Sequence, residues 1–357
     1  MRRNCILHGS LVRLAFTLVC CTVVSVRAAE PISAVQKVLT GLKSPLGVAI
    51  RPDGSSEQYE IFIADSGTGR VVKIEVRKPE KTTEAVTGFA RPSKSDEKPH
   101  PPGAQSLYFL DHSRLVVIGV DDDANPVARM YELPESETPL TADLHKADFE
   151  LPAANEVTRD APRAHASIAR TQANDKVGDA LIVSIAGGLD SEGLISIPVR
   201  ANTLAEPTSV RVAGTSSTGD VGAITVAKSG YLVAATSSSD ESDATSTLQF
   251  INPIDRRVAM QIPVDLSQIV ALVCSPKTGN LYAANNPRSS ADKAGIYRLD
   301  AADNQDQSAC KATKIADIRR PVALAFGPDG SLYVTSSGET ENEDSNGGAL
   351  LRISIEP

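Results

Sequence analysis

Residues 321–337, PVALAFGPDGSLYVTSS, hold two strands and the turn that joins them. Pro321 to Phe326 is an unbroken apolar run of strand length, and such a run marks a strand buried on both faces. Gly327-Pro328-Asp329-Gly330 then closes a tight hairpin, because Pro presets φ and Gly accepts a left-handed turn. Leu332 to Thr335 returns as a second strand. After a polar loop, GGALLRISI at 347–355 supplies a third.

The same grammar stands at the other end of the chain, as PLGVAIRPDG at 45–54 and IFIADSGTGRVVKIEV at 61–76. Working inward from both ends gives six copies. Their first strands start near Leu46, Ala104, Ala166, Gly222, Ile269 and Pro321, so the copies are 58, 62, 56, 47 and 52 residues apart. Second strands are expected at 61–64, 115–120, 180–185, 231–235, 281–284 and 332–335. Third strands are expected at 70–76, 128–133, 193–198, 246–251, 295–299 and 349–355. A less regular fourth strand follows in five copies, at 84–87, 148–151, 209–213, 259–264 and 311–315. Such a unit cannot bury both faces alone, but units stacked around an axis can. The sequence therefore predicts an all-β, six-bladed β-propeller with four antiparallel strands per blade. The sixth copy lacks a fourth strand, and a spare one lies at 34–39. The N-terminal strand is expected to complete the last blade and remove an open edge.

The chain has 357 residues, of which 41% are apolar and 22% charged. These proportions fit a globular protein, and no run of about 20 apolar residues is present to span a bilayer. Arg2, Arg3 and Arg13, a mainly apolar stretch at 14–26 and Val26-Arg27-Ala28 have the form of a cleavable secretory signal. Cleavage after Ala28 would leave 29–357 as a single propeller domain, periplasmic or secreted, and a monomer is expected. It would remove four Arg and shift the net charge from −8 to −12. Acidity of this size argues against nucleic acid and favours cations or a basic protein surface. Cys274 and Cys310 would remain. They fall on strands about three spacings, roughly 14 Å, apart, beyond the roughly 7 Å Cα reach of a disulfide. Two separate thiols are predicted.

Loops entering the first strands and loops joining second to third strands share one face. The second-to-third loops carry fourteen acids, from Asp65 through Asp121-Asp122-Asp123 to Asp344, against Arg288 and Lys293. They predict an acidic rim. The loops entering the first strands carry instead Lys43, Arg91, Lys94, Lys98, Arg159, Arg163, His165, Asp220, Gln268, Arg319 and Arg320. A basic funnel inside an acidic rim would take a small polar ligand. Lys43, Arg163, His165, Asp220, Gln268 and Arg320 are the candidate ligand-binding residues. His165, by its pKa range, and Asp220 are the candidates for acid–base work. No cofactor is expected. A divalent cation has possible oxygen ligands in the rim, although no loop has the spacing of a dedicated calcium loop. His-Glu-x-x-His, Cys-x-x-Cys, phosphate-binding Gly loops and Gly-x-Ser-x-Gly are all absent.

The motif Leu42 to Ala49 with Asp53-Gly54, followed by Ile63-Ala64-Asp65-Ser66 and Gly69 to Ile74, resembles repeats of the NHL and SMP-30/gluconolactonase-like six-bladed propellers. The copy at 321–335 also resembles repeats of the quinone-linked soluble sugar dehydrogenases. The resemblance implies the fold over most of 29–357. For function it implies a family of scaffolds, binders, lactonases and oxidoreductases. SMP-30-type lactonases hold a divalent metal with a carboxylate at the first inner strand. Ser44-Pro45 stands there in this chain, and Asp220 alone could match a later ligand. The expectation is thus a ligand- or protein-binding scaffold without catalysis. The alternative is a lactonase-like hydrolase or sugar oxidoreductase with its site at the central funnel.

Overall fold

The apolar runs form the strands that the sequence suggests, and they assemble as an all-β propeller. The structure, a computed structural model, describes residues 33–52, 55–90, 103–121, 125–134, 138–142, 148–151, 167–172, 177–184, 194–214, 220–237, 245–287, 290–302, 309–338 and 347–355. Of Asp220, Ala302 and Ala309 only the backbone is described. The leader at 1–28 and the loops with Arg91, Lys94, Lys98, Arg159, Arg163 and His165 lie outside these residues. So do eleven of the fourteen rim acids.

The chain begins with β1 (Val35–Leu42). The first sheet is β2 (Pro45–Ile50), β3 (Glu60–Asp65), β4 (Arg70–Glu75) and β5 (Lys78–Thr87). The second contains β6 (Ser106–Phe109), β7 (Arg114–Val120) and β8 (Pro126–Glu132). Two short strands follow: β9 (Leu140–Thr141) joins the edge of β5, and β10 (Phe149–Glu150) completes the second sheet. The third has β11 (Ser167–Thr171), β12 (Ala180–Ser184) and β13 (Leu194–Arg200), with an outer layer split into β14 (Thr203–Leu204) and β15 (Thr208–Val210). An eight-stranded sheet follows, in two halves. The first half is β16 (Asp220–Val226), β17 (Leu232–Ser237), β18 (Ser246–Asn252) and β19 (Arg257–Val264). The second is β20 (Ile269–Cys274), β21 (Leu281–Asn285), β22 (Gly295–Ala302) and β23 (Ala309–Ala316). The halves meet at one parallel bridge, Val264 to Cys310. The final sheet is β24 (Pro321–Phe326), β25 (Leu332–Ser336) and β26 (Gly348–Ile353), with β1 antiparallel on β26. The N-terminal strand thus supplies the missing fourth strand of the last copy.

Buried apolar side chains gather where sheets face one another, which is why so many strands are apolar on both sides. Phe62 and Ala64 meet Leu107 and Leu115 between the first and second sheets. Leu350 and Tyr333 meet Val48 and Ile61 between the last and the first. Ala223, Val233 and Leu248 meet Leu272, Ala283 and Tyr297, so the two halves of the eight-stranded sheet also face each other across a core.

Outer edges are tied together by short parallel bridges. Val86 and Thr87 pair with Leu140 and Thr141, Ala213 pairs with Arg257, and Val264 pairs with Cys310. The Ser33 amide donates to the Ile315 carbonyl at 2.7 Å. These ties cover strand edges that would otherwise offer a template to another chain.

Candidate functional site

The strands β2, β6, β11, β16, β20 and β24 are the innermost of their groups, and each contacts the next around a closed ring. They enclose an axial channel of about 460 Å³. Most of its lining residues are apolar, Leu46, Ile50, Ile168, Leu272, Leu324 and Phe326 among them, yet polar atoms make up nearly half of the exposed wall. Gln105, Ser106, Ser167, Thr225, Arg170 and Cys274 add polar atoms. We call the face where the inner strands begin the upper face and the opposite one the lower.

Four of the inner strands share a device that the sequence does not announce. Each has a β-bulge at its second or third residue, leaving Leu46, Gly222, Val270 and Val322 as the extra residue between regular pairs. A bulge bends the strand and re-aims a side chain. Leu46, Val270 and Val322 line the channel. The fourth extra residue is glycine for lack of room: a methyl group on Gly222 would stand 2.3 Å from the Ile269 carbonyl oxygen. Neighbouring backbones are also close at Gly47, where a Cβ would be 2.8 Å from the Gln105 carbonyl oxygen. The ring is therefore drawn tight near its upper end.

The upper ends of the inner strands are latched by the last residue of the adjacent second strand. Asp65, fully buried at the end of β3, accepts from the Lys43 amide at 2.6 Å, the Thr68 hydroxyl at 2.7 Å and Arg70 Nε at 3.1 Å. Asn285 ends β21, is equally buried, and accepts from the Gln268 amide at 3.0 Å. Ser184 accepts from the Ser167 amide at 3.2 Å, and Ser336 donates to the Arg319 carbonyl at 2.7 Å. Asp65, counted above among the rim acids, is thus a latch inside the fold and no part of an exposed rim. A carboxylate fits there because it meets three donors, one of them cationic.

Lys43, Gln268 and Arg320 stand one or two residues before β2, β20 and β24, on the upper face of three different blades. Their backbones serve the latches: the Lys43, Gln268 and Arg320 carbonyls accept from Gly67, Asn286 and Ser337. None of the three lines the channel. Arg320 and Ser44, each directly before a proline, hold positive φ values of 48° and 45°. Asp220 begins β16 opposite Ser237. Arg163 and His165 fall outside the described residues.

At the lower end of the channel Arg170 is already engaged. Its Nε and Nη2 donate to Asp179 at 2.8 and 2.7 Å, and its Nη1 donates to the Leu110 carbonyl at 2.6 Å. The Asp179 hydrogen bonds strengthen the hold of Arg170 on its proton, against the opposing effect of burial. Tyr108 lines the wall beside it, and burial pushes its phenol above the usual range. Cys274 ends β20 in the channel wall, with Sγ 3.4 Å from the Gly279 carbonyl oxygen. Cys310 lies on the opposite edge of that half-sheet, and both thiols are free. Burial pushes the Cys310 thiol up to about 11.

A separate cluster closes the seam between the last and first sheets. The Tyr59 and Tyr333 hydroxyls are 2.7 Å apart, and both rings are buried. Asp329 accepts from Ser331 Oγ at 2.9 Å and from Arg352 Nη2 at 2.7 Å. Burial raises the Asp329 carboxyl, but its hydrogen bonds from Ser331, Tyr59 and the Arg352 charge prevail and hold it below the usual range.

Among the described residues, no three of His, Cys, Asp and Glu gather as a metal group. The channel wall described here offers neither a carboxylate cluster for a hard cation nor a set of unpaired cations for an anionic cofactor. Among the same residues, no helix is long and apolar enough to cross a membrane.

No family model and no curated protein sequence matches the chain. Solved structures do match in fold. The PQQ-bound aldose sugar dehydrogenase of Streptomyces coelicolor superposes with a TM-score of 0.55 at 12% identity, over 92% of this chain and 100% of that one. A glucose dehydrogenase gives 0.56 at 12% identity, over 90% and 100%. The calcium-binding protein regucalcin of Agrobacterium tumefaciens gives 0.50 at 12% identity, over 90% and 94%. The chain is therefore similar to β-propellers of the kind that includes sugar dehydrogenases and regucalcin. At such identities the likeness is one of fold.

Proposed function

We propose that this chain is a six-bladed propeller that holds a small ligand in its axial channel and acts as a binding scaffold. The blade count rests on reading the eight-stranded sheet as two blades, supported by its single bridge and by the core between its halves. The ligand reading rests on one observation, the channel of about 460 Å³ lined mostly by apolar residues with polar atoms interspersed. Sites for small molecules have this size and composition. This mixed wall suits a ligand with an apolar body and polar ends. Export through the leader at 1–28, a monomeric state, and a divalent cation or basic protein at the rim complete the proposal.

The test uses the mature chain, whose two cysteines report on the channel. An apolar fluorescent probe, 1-aminoanthracene, should bind saturably and slow alkylation of Cys274. Leu324→Trp should fill the channel and abolish both effects. Binding that leaves Cys274 alkylation unchanged, or that survives Leu324→Trp, would refute the channel reading.

A second reading, an enzyme acting on a sugar or lactone at the upper face, is supported by the names of the solved neighbours and by the sequence positions of Arg163, His165 and Asp220. Turnover of an aldose with added PQQ and Ca²⁺, or of a lactone with a divalent cation, abolished by His165→Ala, would favour this reading over the scaffold.

A further inference from the structure

A second cavity, of about 210 Å³, lies between the third sheet and the β16–β19 half of the eight-stranded sheet, and it shares no lining residue with the axial channel. Its wall is built from Ile182, Leu194, Val210, Val212, Leu232 and Ile251. These side chains also belong to the packed cluster between the two sheets and are all more than nine-tenths buried, so the cavity opens as a mouth at the edge of that seam. The outer layer of the third sheet shows why. β13 pairs with β15 at Leu194–Ser196 and with β14 at Val199–Arg200, and the chain leaves the ladder between those stretches. Ser196 and Pro198, at that break, line the cavity.

The wall also carries a cation. Arg256 lies in the β18–β19 turn, in the left-handed region at φ 58°. Its amide donates to the Asn252 carbonyl at 2.9 Å, and its carbonyl accepts from the Ala213 amide at 3.0 Å, so its backbone is pinned from both sides. Asn252 Oδ1 and Asp255 Oδ1 accept from the Ile254 and Arg257 amides, which fixes the rest of the turn. Arg256 is exposed, and among the described residues no carboxylate pairs with its guanidinium. Asp179, the acid that lines the cavity, is held by Arg170 in a two-point pair. The site therefore joins a cleft of largely aliphatic residues to a guanidinium that no carboxylate among the described residues holds.

We propose that this inter-blade cleft binds a small aromatic or branched aliphatic carboxylate, with its apolar body in the mouth of the seam and its carboxylate on Arg256. A cavity of about 150 Å³ lined by aliphatic side chains accepts a benzene ring, so this one accommodates a ring with a short substituent. A guanidinium pairs with a carboxylate through two parallel hydrogen bonds, which makes Arg the fitting partner for such a group.

The probes are 4-methylbenzoate and its neutral counterpart 4-methylbenzamide, measured by calorimetry on the mature chain. Wild type should bind the acid saturably and more tightly than the amide. Arg256→Gln, a change at an exposed position, should weaken the acid about tenfold while sparing the amide. Val212→Trp should remove both. In all three proteins Cys274 alkylation should be indifferent to 4-methylbenzoate, which separates this cleft from the channel. Absence of saturable binding to wild type overturns the proposal. So does equal affinity for the acid in Arg256→Gln and wild type, or protection of Cys274 by the acid.

Discussion

Asp65 and Asn285 hold equivalent latches with different chemistry, and exchanging them separates cap from charge. Asp65→Ala leaves the Lys43 amide without its acceptor and removes one of the two acids that Arg70 meets, Glu84 remaining at 2.8 Å. An orphaned buried amide costs about 1–3 kcal/mol. Removing one partner of a buried charge pair costs roughly 3–5 kcal/mol, and less here because Arg70 is 34% exposed. The two losses together should come to about 3–4 kcal/mol. Asp65→Asn keeps an acceptor for Lys43 but puts an amide NH2 where the second oxygen accepts from Thr68 and Arg70, for a cost of about 1–3 kcal/mol, below that of Asp65→Ala. The reverse change is harsher. Asn285 Nδ2 donates to the Lys293 carbonyl at 2.9 Å, so Asn285→Asp sets a carboxylate oxygen against that carbonyl. About 2–4 kcal/mol should be lost. Urea unfolding gives the three free energies, and hydrogen exchange of the Lys43 amide reports the latch itself. If Asp65→Asn costs as much as Asp65→Ala, the charge governs and the cap reasoning fails. A neutral Asn285→Asp would refute the account of both latches.

Acid should loosen the seam. Asp329 and Glu60 both lie below their ordinary values of 3.8 and 4.5 in the fold, Glu60 because hydrogen bonds from Arg51 and Lys73 outweigh its burial. A depressed carboxyl contributes stability that is complete above the unfolded value and is lost as pH falls through the native one. Stability should decline below about pH 5, and Arg352→Met should flatten the decline; an unchanged slope would count against the seam cluster. With its thiol near 11 instead of 9.0, Cys310 should be alkylated at pH 8 about a hundredfold more slowly than a free thiol peptide. Iodoacetamide kinetics in a Cys274→Ser background measure this, and a rate equal to the peptide's would contradict the burial. Deleting residues 1–42 removes β1 and bares the edge of β26. Light scattering should show association of the truncated chain, and a stable monomer would show that the edge is protected in some other way.

The strands could be read because both faces of each are buried, so apolar runs such as Leu115 to Ile118 stand out from the loops. Hairpin turns carried their own chemistry in Pro328-Asp329-Gly330 and Lys277-Thr278-Gly279. The closing role of β1 followed from a strand missing at one end and spare at the other. The bulges at Leu46, Val270 and Val322 left no such trace, because a bulge is a mismatch between two strands and neither shows it alone. Asp65 misled for a related reason. An acid at the end of a strand reads as solvent-facing, and only its partners Lys43, Thr68 and Arg70, up to 22 residues away, make it internal. The channel's character was also hidden. Residues before the inner strands suggested a basic funnel; Arg91, Lys94, Lys98, Arg159, Arg163 and His165 lie outside the described residues, while the described channel wall is set by the inner strands, most of whose residues there are apolar. A signal for this existed in the inner strands themselves, where Val270 to Val273 and Val322 to Phe326 contain no charge.

The pairing of β1 with β26 sets a schedule as well as a shape. Val35 lies opposite Ile353, more than 300 residues away. In the entropy of loop closure that distance matters only logarithmically, but in time it matters directly. Chains are made at about 5–20 residues per second, so β1 waits roughly 15–60 s for its partner to exist. Every other sheet can pair from strands nearer one another in the chain, whereas this one needs β1 beside the locally paired β24, β25 and β26. The last blade is therefore the last to form, and until it forms both seams beside it stand open. Contacts of such long range also slow folding. The strand that seals the ring thus makes the chain's completion the condition for its own folding.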